Sequence, residues 1–143
     1  MPILNVAKVV IRRKADGKYL ILRGSKWEER PDRSQKPDLP GGIVEVDETI
    51  EQGAVREVKE EAGITLRPEE LLLVQAHSFQ SDKDQAAINR LIYFAELKTD
   101  PEIQLSWEHE GYWWYDATEI LDLDIRSPYP EVFKYLHQIG VLI

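Results

Sequence analysis

Residues 42 to 64 read Gly-Ile-Val-Glu-Val-Asp-Glu-Thr-Ile-Glu-Gln-Gly-Ala-Val-Arg-Glu-Val-Lys-Glu-Glu-Ala-Gly-Ile, a glycine loop followed by a segment dense in carboxylates. Thr49 and Gln52 have capping-box spacing, Asp47 is an alternative N-cap, and Gly63 suits the position just past a helix end. Together they predict a helix over residues 50 to 62. Within it Ile50, Ala54, Val58 and Ala62 step by four and form an apolar stripe. At about 100° per residue, Glu57, Glu60 and Glu61 share one arc of roughly 100° beside that stripe. Such like charges repel by a few tenths of a kcal/mol (~0.2–0.5) per pair. A hard divalent cation reverses the sign, and magnesium, which prefers oxygen ligands and shares them with phosphates, suits the arrangement. The competing reading is a solvated acidic face. Adjacency to the apolar stripe instead places the acids at the border of the core.

Asp38-Leu39-Pro40-Gly41-Gly42 leads into this segment. Paired glycines let the backbone take positive φ and let a phosphate or a metal shell approach Gly42 closely, although a plain tight turn accounts for them too. Gly53, inside the helix, costs roughly 1 kcal/mol relative to alanine and points to close packing against a neighbour.

Gly42, Glu48, Arg56-Glu57-Val58, Glu60-Glu61 and Gly63-Ile64 fill nine fixed positions over 23 residues, and in that spacing the chain resembles the complete Nudix box. The lead-in and the order of strands extend the likeness loosely over nearly the whole chain. The resemblance implies an α/β fold of the Nudix type, an α/β/α sandwich around a mixed β-sheet. It also implies magnesium, with manganese as a substitute, held by Glu57, Glu60 and Glu61, with Glu48 a weaker or water-mediated partner. Arg56 is implied as an orienting residue paired with a box carboxylate, Glu48 first; a surface ion pair worth under about 1 kcal/mol is the plain alternative.

The 143 residues, 43% of them hydrophobic, suit one domain spanning residues 1–143. A net charge of −8 opposes binding to nucleic-acid backbones, while small phosphorylated ligands remain compatible once a metal masks the local charge. Cysteine is absent, which excludes disulfides, thiolate zinc sites and cysteine nucleophiles. The basic cluster Arg12-Arg13-Lys14 follows the N-terminal apolar run, the reverse of a secretory signal, and no apolar run is long enough to span a bilayer. A cytoplasmic protein without membrane partners is expected.

Residues 3 to 13 and 18 to 23 read as a hairpin about Ala15-Asp16-Gly17. Gly24 to Lys36 reads as a long polar loop of the kind that carries function. Leu71 to Gln80 and Ala87 to Lys98 are strands joined by Ser81-Asp82-Lys83-Asp84, and Gly111 to Tyr115 is a short one. Ala117 to Leu121 makes a short helix and Tyr129 to Ile139 a longer one, with Val132, Phe133, Leu136 and Ile139 as its apolar face.

In the family that the chain resembles, the general base often comes from a loop before the last strand. Here that loop is Ser106-Trp107-Glu108-His109-Glu110-Gly111, with Glu108 as first choice for base or fourth ligand, Glu110 as second, and His109 a further option because its ordinary pKa lies near working pH. Arg23 closes a strand and can hold a phosphate; Trp27 can stack on a base. Trp107, Trp113 and Trp114 read as core or strand packing, and His77 and His137 as structural.

The resemblance implies a pyrophosphohydrolase acting on a nucleoside diphosphate linked to another group, as a homodimer by default. Family cues for ADP-ribose (a proline) and dinucleoside polyphosphates (a tyrosine) are both missing from Phe79-Gln80-Ser81-Asp82, which favours nucleoside triphosphates without removing nucleotide sugars. A noncatalytic nucleotide sensor is the alternative, disfavoured by the filled box. A charged helix in an interaction protein leaves the glycine lead-in unexplained. A prenyl-diphosphate isomerase of the same fold would normally need a cysteine.

Overall fold

The computed structural model describes residues 2–31 and 33–143. Met1 and Asp32, the latter inside the expected polar loop, lie outside the described residues.

Strand β1 (Ile3–Arg13) turns at Asp16 and Gly17 into β2 (Lys18–Gly24). After the polar loop come the short strands β3 (Pro37–Asp38) and β4 (Gly41–Ile43). Helix α1 (Ile50–Ala62) starts at Thr49, whose hydroxyl accepts from the Gln52 N–H while the Gln52 side chain accepts from the Thr49 N–H. It ends at Gly63, whose φ of 74° is the left-handed cap expected of glycine. β5 (Leu72–Ser81) and β6 (Ala86–Leu97) form a hairpin, and β7 (His109–Tyr115), α2 (Ala117–Leu121) and α3 (Tyr129–Gln138) complete the chain.

The sheet runs β3-β2-β1-β6-β5, with β4 paired to β1 and β7 to β2. β1 and β6 are parallel from Ile3 beside Ala87 to Arg13 beside Leu97, and the other pairings are antiparallel, so the sheet is mixed. Alternation along β1 and β2 feeds two cores. Ala7, Val9, Ile11, Leu20 and Leu22 pack under Ala54, Val58 and Ala62 of α1. Val10, Tyr19 and Ile21 pack on the opposite face with Ile120 of α2 and Val132, Phe133 and Leu136 of α3. The three-layer α/β/α sandwich is therefore as expected.

Three local details differ from the sequence reading. β7 begins at His109, so His109 and Glu110 belong to a strand and not to the loop before it. Ile139 follows the end of α3 and is 47% exposed, because the chain turns away at Gly140 and Leu142 fills the core in its place. Trp107 is 77% exposed and packs in no core.

Candidate active site

The box carboxylates are gathered where the edge strand β4 meets α1. Gly41 sits so close to β1 that a Cβ there would lie 2.0 Å from the Ala7 carbonyl oxygen, and its φ of 133° is glycine's own. Its N–H donates to Glu61 Oε2 at 2.8 Å. A Cβ on Gly42 would come within 2.7 Å of the Glu57 carboxyl carbon, so that carboxylate rests on bare backbone. Gly53 fulfils the close-packing expectation, since a Cβ there would meet Glu48 Oε1 at 2.8 Å and Val44 at 3.0 Å.

Arg56 is the hub. Its Nη2 donates to Glu48 Oε1 at 2.8 Å and to the Ile43 carbonyl at 3.0 Å, and its Nε to Glu48 Oε2 at 3.1 Å. Its Nη1 reaches Glu57 Oε1 at 3.0 Å and Glu60 Oε2 at 3.2 Å. The expected pairing with Glu48 is thus present, and it extends to two further box acids. These bonds, with the Glu45 N–H, hold the Glu48 carboxyl below its ordinary pKa. Glu57 is raised, mainly by burial and further by the charges of Glu60 and Glu108. Glu61, only 4% exposed, is pushed up to about 8 by burial despite Lys8 and the Gly41 N–H.

Among the described residues no three His, Asp or Glu side chains converge on a common point, and Arg56 stands among the acids, paired with Glu48, Glu57 and Glu60. The residues nevertheless fit a hard cation. Every donor is an oxygen, burial disfavours the charged form of Glu61 so that a cation would be welcome beside it, and Gly42 leaves the space over Glu57 unfilled.

The loop before β7 is pinned against the end of α1: the Gln104 N–H donates to the Ala62 carbonyl and the Ser106 N–H to that of Glu61. This brings Glu108 near enough to Glu57 to disfavour its ionisation. Glu110 is exposed to solvent. His109 is buried instead, and burial pulls its pKa down to about 4. Its Nδ1 has no hydrogen-bond partner among the described residues. Ser25 fastens the polar loop to this segment by donating its N–H to the Glu108 carbonyl and its hydroxyl to that of Trp107. Trp27 stacks on Trp107 with ring centres 5.5 Å apart. Arg23 lies 4.8 Å from the Trp113 ring and is not brought against the box acids.

On the α3 side of the sheet a cleft of about 840 Å³ reaches from Gly42 and Ile43 across β1 and β6 to β5. Sequence reasoning missed it. His77, expected to be merely structural, lines it with Phe79, Arg90 and Tyr135. His137 is structural as expected, its Nδ1 2.8 Å from the Leu142 carbonyl. The cleft joins the box through Lys8, whose Nζ donates to Asp38 Oδ2 at 3.3 Å and to the carbonyls of Leu39 and Gly41 at 3.2 and 3.1 Å. Burial pushes the Asp38 carboxyl up, but Lys8 and Arg126 outweigh it and hold the group below its usual range.

A family model described as the NUDIX domain matches residues 3–136, and the chain belongs to the Nudix hydrolase family. Among curated proteins it is similar to the phosphatase NudJ of Escherichia coli K12, with 30% identity over 132 residues, covering 89% of this chain and 77% of that protein. It is 42% identical over 71 residues to a MutT-like protein of Streptomyces ambofaciens; that match covers 48% of this chain and 38% of that protein. The MutT protein of Methanosarcina mazei Go1 superposes with a TM-score of 0.76 at 25% identity, covering 97% of this chain and 96% of that one.

Proposed function

We propose that the protein is a magnesium-dependent pyrophosphohydrolase that cleaves the diphosphate of a nucleoside triphosphate or of a nucleoside diphosphate linked to another group. The observation that carries this reading is the gathering of Glu48, Glu57, Glu60 and Glu61 around Arg56 and the Gly41-Gly42 backbone. Family membership and the likeness to proteins named phosphatase and MutT support it.

Glu57, Glu60 and Glu61, with Glu48 behind them, would hold the ion. Bound there, it would neutralise phosphoryl oxygens and acidify water. Arg56 fixes the acids in register. Glu108, beside Glu57, is the group proposed to take the proton from the attacking water, and Glu110 is the second choice. Bare backbone at Gly42 gives the diphosphate room to approach Glu57. Residues 1–143 are read as one domain working in the cytoplasm on a small-molecule substrate, with a homodimer as default. In support, no helix among the described residues is long and apolar enough to cross a membrane, and the net charge disfavours nucleic acid.

The test is a panel of nucleoside triphosphates, nucleotide sugars, ADP-ribose and dinucleoside polyphosphates with magnesium, the products identified by mass. Glu60→Gln should abolish release of phosphate fragments while leaving the circular dichroism spectrum unchanged. Full turnover by that variant sinks the assignment. Binding without turnover by the unaltered protein would favour the sensor alternative.

A further inference from the structure

Arg90, on β6, is 8% exposed. Its guanidinium carbon lies 5.1 Å from the ring centres of both Phe79 and Tyr129. Its Nη1 is 3.4 Å from His77 Nε2. Since arginine only donates, that nitrogen accepts, the His77 proton sits on Nδ1, and Nδ1 donates to Gln75 Oε1 at 2.8 Å. Arg90 Nε has no hydrogen-bond partner among the described residues. Two other cations of the cleft are matched differently: Lys8 and Arg126 both bond Asp38. Among the described residues no carboxylate pairs with Arg90, although it lines the cleft. Burying a guanidinium without a counter-charge is unfavourable, and a residue kept in that state is prepared for an anion from outside.

Its distance from the box follows from the sheet register. Ile43 on β4 pairs with Val6, and Val6 with Arg90. Two strand spacings, about 10 Å, therefore separate β4 from Arg90. That is too far for a diphosphate gripped at Glu57 to touch both ends, but within reach of a group attached to it.

We propose that Arg90 is a specificity-determining residue that binds a phosphate or carboxylate carried by the part of the substrate beyond the scissile diphosphate. The proposal rests on the hydrolase reading above and names the class of linked group. His77 holds the guanidinium from the β5 side and the Phe79 and Tyr129 rings flank it, leaving Nη2 without a protein partner among the described residues on a side chain that lines the cleft, where an anion can take a forked contact.

Two pairs of compounds differing by one anion test it. UDP-glucuronate against UDP-glucose places a carboxylate on the linked sugar, and NADPH against NADH places a phosphate on the adenosine ribose. Binding is measured calorimetrically with Mg2+ in the Glu60→Gln background. At least one anionic member should bind about tenfold more tightly than its neutral counterpart. That ratio should fall to near one in Arg90→Met and drop severalfold in Arg90→Lys, which keeps charge but loses the fork. Which pair responds tells whether the anion sits on the linked group or on the nucleoside. Ratios near one for both pairs in the Arg90 protein, or a ratio that survives in the lysine variant and in any folded Arg90→Met protein, overturn the proposal. Failure to hydrolyse any panel compound would defeat the hydrolase reading instead, and these binding ratios would still decide the role of Arg90.

Discussion

Arg56 and Glu48 are locked in a two-pronged contact, Nη2 to Oε1 at 2.8 Å and Nε to Oε2 at 3.1 Å, across eight residues that span the start of α1. Planar matching of this kind is specific to arginine, because lysine offers a single point of charge. Arg56→Lys should therefore lower stability by about 1–2 kcal/mol in urea titrations. It should reduce turnover more than substrate affinity, since Glu57 and Glu60 lose their common anchor. An unchanged urea midpoint and unchanged kcat would show that the contact is incidental.

The two adjacent glycines should respond differently to alanine. At Gly41 the added carbon meets backbone at 2.0 Å and φ is positive, so Gly41→Ala should destabilise by more than about 3 kcal/mol or prevent folding. At Gly42 it meets only the flexible end of Glu57. Gly42→Ala should keep a cooperative thermal transition within a few degrees of the parent while hydrolysis drops at least about tenfold. Equal loss of fold in both variants would refute this division.

Magnesium should raise the melting temperature of the unaltered protein, because a ligand bound by the folded state alone stabilises it by about 2.7 kcal/mol at a hundredfold excess over its Kd. Glu57→Gln should largely abolish the increase, and a chelator should reverse it. An identical thermal shift in Glu57→Gln would remove that side chain from the ion site.

His109 sets a pH dependence of stability. Its folded pKa, about 4, lies below the ordinary value of 6.5, so between those limits the unfolded chain binds the extra proton. The stability it contributes is complete above pH 6.5 and is lost as pH falls toward 4. His109→Asn should flatten the slope of unfolding free energy against pH in that window. A slope identical to the parent's would assign the acid sensitivity to other groups.

How far the sequence could be read depended on the range of the interactions involved. Helix α1 was legible to the residue because its signals are local: the Thr49–Gln52 box, the step of four and Gly63 all lie within one segment. Arg56 and Glu48 are only eight residues apart, and their pairing came with the box. The cleft was not legible. Arg90 and His77 face each other only through the β5 and β6 register, and Val6 joins Arg90 only because β1 runs parallel to β6. Lys8 and Asp38 meet across 30 positions. Nothing in the residues around His109 reveals that the neighbouring strand pairing draws it inward while Glu108 stays near Glu57.

Asp38 accepts from Lys8 on β1 and from Arg126 just ahead of α3, while Lys8 also grips the carbonyls of Leu39 and Gly41. One carboxylate thereby pins the turn bearing the paired glycines to the segment that roofs the basic hollow. The roof cannot swing outward for a bulkier guest without drawing that pin. A ligand that pushed this roof outward would break the Arg126–Asp38 contact and so loosen the turn that Lys8 and Asp38 hold in place.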